Sequence, residues 1–184
     1  MESFERLVSL ARNGDKEAFG ELYSSYFTPI YRFLYWRTKH KEIAEDLTQT
    51  VFLKAYEAVG AFENTGAPFL SWLYTIAHNL YLDYIKKRKF LLPDEPDTFW
   101  ENQKGFLPGV EKEITRRENR EALDKAISEL SDNQQELVIL RFVAERSYGE
   151  IAEITGKTED ALRALNYRAM KLLKEKLKNL FEDT

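Results

Sequence analysis

Trp72, Thr75, Asn79, Asp83 and Lys86 recur at steps of three or four residues, so a helix carrying them presents an indole, a hydroxyl, an amide, a carboxylate and an ammonium along one face. An indole can stack on an unpaired base, an amide can read a base edge, and cations can hold phosphates; together this is the chemistry of single-strand capture. The surrounding stretch, Phe69 to Lys89, holds five aromatic residues and a single acid, Asp83, and closes in the four consecutive cations Lys86 to Lys89. The same composition also suits a half-buried tryptophan with ordinary polar neighbours, and cations that merely stabilise a helix C-terminus. Directly before it, the loop Phe62-Glu-Asn-Thr-Gly-Ala-Pro68 offers a wall for an unstacked base.

Two further sets stand out. Arg163, Asn166, Tyr167, Arg168 and Lys171 share the outer side of a C-terminal helix and have the chemistry to meet phosphates and base edges in a major groove. Glu159 and Asp160 suit the start of that helix but repel a nearby phosphate, so base reading is expected to begin near Arg163. Opposite an apolar stripe, Asp46, Gln49, Thr50, Phe52, Lys54 and Tyr56 mix aromatic and polar groups, the composition of a protein-binding face, although a solvated helix with incidental aromatics reads the same way.

Bond-making chemistry finds little support. The chain has no cysteine and only two histidines, His40 and His78, which excludes thiolate metal sites and makes a histidine-rich metal centre a poor fit. It also lacks a glycine-rich phosphate loop and a nucleophile motif, so no catalytic residue, metal or cofactor is assigned. The net charge of −4 argues against avid duplex binding by the chain alone; any such binding must be local or assisted by a partner.

The elements that must position these residues are helical throughout. With 184 residues and 43% hydrophobic content the chain can build one domain or two small ones. Phe4, Leu7, Val8 and Ala11 form a first stripe, which Asn13-Gly14 stops. Asp15 caps a second helix with Ala18, Phe19, Leu22, Tyr23 and Tyr26 inward, and Pro29 is expected to open a third, carrying Ile30, Phe33 and Leu34. A fourth runs from about Glu42 to Val59, and the Phe69–Lys89 helix follows, with Phe69, Leu73, Ile76, Ala77, Leu80 and Tyr84 as its apolar stripe. Residues 93–113 then break the periodicity with prolines and glycines and carry six acids against two bases, which reads as an acidic flexible linker. Phe99, Trp100, Phe106 and Leu107 are unusual in a spacer and suit docking on another surface or on the chain's own domains.

Past the linker, a helix from Arg117 to Leu130 precedes one that Ser131-Asp132 can cap, containing Leu137, Val138, Leu140 and Phe142 and ending near Val143–Arg146. Ser147-Tyr-Gly-Glu150 is a capping box that opens a short helix ending at Gly156. Thr158 caps the last helix, from Glu159 to about Leu180. Ile151, Ile154, Leu162, Leu165 and Ala169 would fill the angle between these two, which is a helix-turn-helix.

Ala44-Glu-Asp-Leu-Thr-Gln-Thr-Val-Phe-Leu-Lys-Ala-Tyr56, Phe69-Leu-Ser-Trp-Leu-Tyr-Thr-Ile-Ala-His-Asn79, the acidic linker, Leu137-Val-Ile-Leu-Arg-Phe142 and Ser147-Tyr-Gly-Glu-Ile-Ala152, in this order and at this spacing, resemble the extracytoplasmic-function group of bacterial σ70-type sigma factors. The resemblance covers nearly the whole chain. It implies an all-α protein of two small domains, a sigma-2-like bundle at 1–92 and a sigma-4-like helix-turn-helix at 114–184, joined by the linker 93–113. It implies a promoter-specificity subunit whose partners are core RNA polymerase, promoter DNA (duplex at the −35 element, single-stranded at the −10 element) and an anti-sigma factor, the last without a motif of its own here.

Residue by residue, the resemblance implies core-polymerase contacts for Asp46, Gln49, Phe52 and Tyr56. Recognition and melting of the −10 element would fall to Phe62, Asn64, Phe69, Trp72, Tyr74, Asn79, Asp83, Lys86, Lys87 and Arg88. Recognition of the −35 element would fall to Ser147, Tyr148, Arg163, Asn166, Tyr167, Arg168 and Lys171. Two departures from the family's pattern are visible: Ser131-Asp132-Asn133 replaces a proline-containing helix entry, and Lys157-Thr-Glu-Asp-Ala-Leu-Arg-Ala-Leu-Asn-Tyr-Arg-Ala-Met170 differs from the commoner recognition helix. The rival reading is a stand-alone helix-turn-helix regulator that binds paired half-sites without polymerase; it leaves the Asp46–Tyr56 face without a purpose. With no run of 18 or more apolar residues and no apolar leader at Met1–Asn13, the chain is expected to be soluble and cytoplasmic.

Overall fold

A computed structural model describes residues 2–63, 68–91 and 122–178. Among them every regular element is helical, and they fall into two compact units, one built from the helices before the linker and one from those after it. Asn64, the linker 93–113 with its four apolar residues, and the first residues of the helix expected from Arg117 lie outside the described residues.

The N-terminal unit packs four helices: α1, Glu2–Arg12; α2, Lys16–Thr38; α3, Lys41–Ala58; and α4, Phe69–Leu91, with a 3-10 turn at Val59–Ala61 after α3. Asp15 caps α2 as its sequence position predicts, its carboxylate accepting the amides of Glu17 and Ala18 at 3.0 Å. The helix expected to begin after Pro29 does not exist separately, because α2 runs straight through the proline. Proline removes the amide that would pair with the Ser25 carbonyl, a cost of about 3 kcal/mol in a helix interior. Against that, both halves of α2 bury apolar groups in the same core, Ala18, Phe19 and Leu22 before it and Ile30, Phe33 and Leu34 after it, and packing outweighs the local penalty.

The apolar face of α4 is turned relative to the stripe its sequence suggests. Phe69, Leu73, Tyr74, Ala77, His78 and Tyr81 are buried, whereas Ile76, Leu80 and Tyr84 are only half-buried. Tyrosine supplies the reason, being apolar along its ring and polar at its tip. Tyr74 packs edge-on against Phe33 with ring centroids 5.5 Å apart, and Tyr81 lies beneath the buried Arg37 guanidinium at 4.3 Å.

The C-terminal unit comprises α5, residues 122–128, then α6, Asp132–Val138, α7, Tyr148–Thr155, and α8, Glu159–Lys176. Despite the absent proline, α6 starts where expected: the Ser131 amide donates to Gln134 Oε1 at 3.0 Å, closing a capping box. Its end is less regular. Ile139–Val143 forms a π-helical turn, and the wider turn brings Ile139 and Leu140 inward while leaving Phe142 54% exposed. Lys176 pairs with Glu129, tying the end of α8 to the segment after α5, and holds that carboxyl below its ordinary range.

Gly156 ends α7 at φ 69°, its amide donating to the Ala152 carbonyl at 2.8 Å. Nothing lies within 4 Å of where a Cβ would stand, so Gly156→Ala tests conformation alone. We expect it to destabilise the C-terminal unit by about 1–2 kcal/mol, the cost of a left-handed alanine. Urea denaturation followed by circular dichroism measures this, and an unchanged midpoint would show that the turn relaxes without cost.

Candidate nucleic-acid interface

On α4, Trp72 is half-buried and rests on two other rings, Phe62 at 5.0 Å and Phe69 at 5.3 Å, which also meet each other edge-on at 5.3 Å and 89°. Phe62 and Phe69 are each only 7% exposed, so neither offers a free face to a base. Phe69 is buried as its place in the apolar stripe requires, and the −10 contact expected of both rings does not find an open surface: they form the bed that sets the indole. Tyr74, at 1% exposure, is likewise core and not surface, for it lies on the turned inner face of α4 against Phe33. The Thr75 hydroxyl donates to the Ser71 carbonyl of its own helix at 3.1 Å. Asn79, Asp83, Lys86 and Lys87 are exposed, and Arg88 is half-buried close to Tyr84. Burial lifts the Tyr84 phenol above its ordinary value, and the Arg88 charge offsets part of that rise. The helix therefore brings together one half-buried indole, one exposed amide and a cationic end.

The C-terminal face is built by the two capped helices. The Ser147 hydroxyl accepts the Glu150 amide at 3.2 Å while the Ser147 amide donates to Glu150 Oε2 at 2.8 Å, and Thr158 accepts the Ala161 amide at 3.3 Å. Ile151, Ile154, Leu162 and Ala169 are buried, as the helix-turn-helix pattern requires, and Leu165 is half-buried. That leaves Arg163, Tyr167, Arg168 and Lys171 exposed on α8, with Tyr167 at 73%. Asn166 departs from the expected outward placement. It is half-buried, and its Oδ1 is buried with no hydrogen-bond partner among the described residues.

One residue missed in the sequence, Arg141, joins this face, and Glu159 takes up a contact there. The Arg141 guanidinium lies over the Tyr148 ring at 5.2 Å, and the Arg163 guanidinium lies over the same ring at 4.7 Å. Glu159, expected at the helix start and to repel phosphate, accepts from Arg163 Nη2 at 2.7 Å. The four-residue step from Glu159 to Arg163 was a visible signal for the pair; the meeting with Tyr148 depends on the turn between α7 and α8.

On α3, Asp46, Gln49 and Tyr56 are exposed, Tyr56 leaning edge-on against Phe19 at 5.1 Å. Phe52 is not on that surface. At 3% exposure it is packed between α2 and α3, edge-on to Tyr23 at 4.7 Å and stacked with Phe27 at 6.4 Å. The exposed apolar residue there is Leu53, one position on and 60% exposed, beside Asp46, Gln49 and Thr50 along a shallow groove. Among the described residues no helix is long and apolar enough to cross a membrane.

These two faces can be compared with known proteins. The sequence matches Sigma-70 region 2 over residues 22–90 and Sigma-70, region 4 over residues 120–173, so α4 and the helix-turn-helix fall within separate family regions. It is 31% identical over 154 residues to the ECF RNA polymerase sigma factor SigM of Bacillus subtilis (strain 168), an alignment covering 84% of this chain and 91% of that one. The chain belongs to the ECF RNA polymerase sigma factors. To the ECF sigma factor BldN of Streptomyces coelicolor this sigma factor is 38% identical over 167 residues, 91% of its own length, and it spans 63% of that longer relative. Among solved structures, that of the sigma factor RpoE in complex with the anti-sigma factor NepR from Bartonella quintana superposes with a TM-score of 0.72 at 25% identity, over 87% of this chain and 96% of that one. CnrH, solved in complex with the cytosolic domain of CnrY, shares the fold with a TM-score of 0.68 at 20% identity, over 94% and 96%. Sigma factors are regulatory initiation factors of transcription.

Proposed function

We propose that this sigma factor binds core RNA polymerase through the exposed α3 face around Asp46, Gln49 and Tyr56, anchors the duplex −35 element on α8, and holds an unpaired −10 base against Trp72 with Asn79 beside it. One observation carries the reading: a single chain presents two faces of different kinds, a half-buried indole beside an exposed amide and cations on α4, and exposed cations on the helix-turn-helix at α8. The first suits stacking on a single strand, the second a major groove.

Division of labour follows from charge. With a net charge of −4 the chain cannot hold a long duplex by counterion release, so the polymerase supplies most of the phosphate binding and the sigma factor supplies choice of sequence. The protein itself makes and breaks no bond. Unpairing costs a few kcal/mol per base, and stacking on an aromatic ring returns about 1–3 kcal/mol, provided the strand is already held in place. We assign residues 1–92 and 114–184 to the two functions, place the protein in the cytoplasm with its polymerase, and infer an anti-sigma factor as a second partner, since RpoE, the relative at TM-score 0.72, was solved bound to one.

The test is reconstitution. Purified chain added to core polymerase on a mixed library of genomic promoter fragments should yield a discrete set of transcripts that core enzyme alone does not make. Identical transcripts with and without the chain would end the proposal.

A further inference from the structure

We propose that Tyr148 and Glu159 are positioning residues for Arg163, holding its guanidinium in an intramolecular site from which only a matching duplex withdraws it, so that they set the selectivity of α8. The inference rests on the reading of α8 as the duplex-reading helix. Its starting point is that Arg163, although exposed, is restrained twice: Nη2 donates to Glu159 Oε2 at 2.7 Å, and the guanidinium lies 4.7 Å from the centre of the Tyr148 ring.

Both restraints are themselves fixed. Tyr148 opens α7 next to the Ser147 capping box, and its ring also meets the Arg141 guanidinium, whose Nη1 donates to the Arg146 carbonyl at 2.9 Å. Glu159 opens α8, and its Oε1 lies 3.5 Å from where a Cβ on Gly149 would stand, so the carboxylate reaches the N-terminal turn of α7. Helix N-termini favour an anion there. Arg163 is thus biased toward one part of the α8 surface and loses less rotamer freedom on binding than an arginine with neither contact.

The consequence is selective because the carboxylate competes with DNA. An exposed ion pair four residues apart is weak, so a guanine edge that takes the guanidinium with two hydrogen bonds displaces it. A phosphate offered without such an edge meets the Glu159 charge, and does so before Arg163 is released. Glu159 therefore suppresses backbone binding more than base reading, and Tyr148 keeps Arg163 within reach of one base step.

The experiment uses holoenzyme, the full chain with core polymerase, on promoter duplexes randomised across the upstream element, and compares Arg163→Ala, Glu159→Gln, Tyr148→Leu and Tyr148→Phe. Arg163→Ala is expected to flatten the preference at one or two upstream positions. Glu159→Gln and Tyr148→Leu should weaken that same preference roughly three- to tenfold, the scale of one charge-assisted contact, while Tyr148→Phe, which keeps the ring, should retain it. Glu159→Gln should also bind a duplex with a scrambled upstream element more tightly, with a salt dependence steeper by about one unit of log K per log salt. If Arg163→Ala flattens the preference but neither Glu159→Gln nor Tyr148→Leu alters it or the salt slope, the positioning role is overturned. If Arg163→Ala matches the wild type, the duplex-reading assignment of Arg163 fails, and the positioning proposal with it.

Discussion

Phe52→Ala is expected to lower the stability of the N-terminal unit by about 3–5 kcal/mol, the usual cost of removing a buried phenyl ring. The ring is 3% exposed and joins α3 to α2 through Tyr23 at 4.7 Å and Phe27 at 6.4 Å, so its loss opens a cavity that two long helices cannot easily close. Small domains have about 5–15 kcal/mol in total, so much of that margin disappears. In urea the midpoint should fall with the slope unchanged, since the surface exposed on unfolding barely alters. A loss below about 1 kcal/mol would mean that Phe52 is not a core residue. The result bears on function, because a binding defect in this variant would report folding and not a lost contact. Asp46→Arg is the cleaner probe of the proposed polymerase face: exposed, it should leave the midpoint near wild type while weakening association with core polymerase.

The contrast between Phe52 and Asp46 illustrates what could be read in the sequence. Local chemistry was legible: the Asp15, Ser131, Ser147 and Thr158 caps and the left-handed Gly156 follow from a few adjacent residues and stand where their spacing places them. So were the two helical units and the cationic face of α8. What went wrong depends on partners distant in sequence. Pro29 stays helical because of a core it shares with other helices, and the buried face of α4 turns toward Tyr74 and Tyr81 because Phe33 and Arg37 of α2 pack there. The aromatic residues were hardest, since Phe62, Phe69 and Tyr74 have the same composition whether they stack on a base or on each other. Only tertiary contact separates the ring that faces solvent from those that support it. By the same token, the step from Glu159 to Arg163 was visible, but its meaning required the Tyr148 ring contributed by α7.

Trp72→Ala should leave closed-complex formation intact and reduce promoter opening about five- to 150-fold, corresponding to the ~1–3 kcal/mol of one stacked base. The indole is the member of its aromatic cluster with surface left for a ligand, whereas Phe62 and Phe69 are spent on each other and on it. Its removal leaves the Phe62–Phe69 contact in place, so folding should suffer far less than in Phe52→Ala. Fluorescence of base analogues placed in turn along the −10 element reads the open fraction directly. Template design separates two possibilities: on a duplex with a pre-formed mismatch bubble the unpairing cost is gone, so a residue that only helps to separate strands would show no defect there. A residue that holds the flipped base would still show one, because the lost stacking belongs to the bound state and not to the barrier. We expect the defect to appear on the bubble as a loss of affinity of similar size, partly restored by Trp72→Phe. Wild-type opening of the duplex together with wild-type affinity for the bubble by Trp72→Ala would place the captured base away from the indole, with Asn79 and the cations at Lys86 and Lys87 left to hold the strand by its edges and backbone alone.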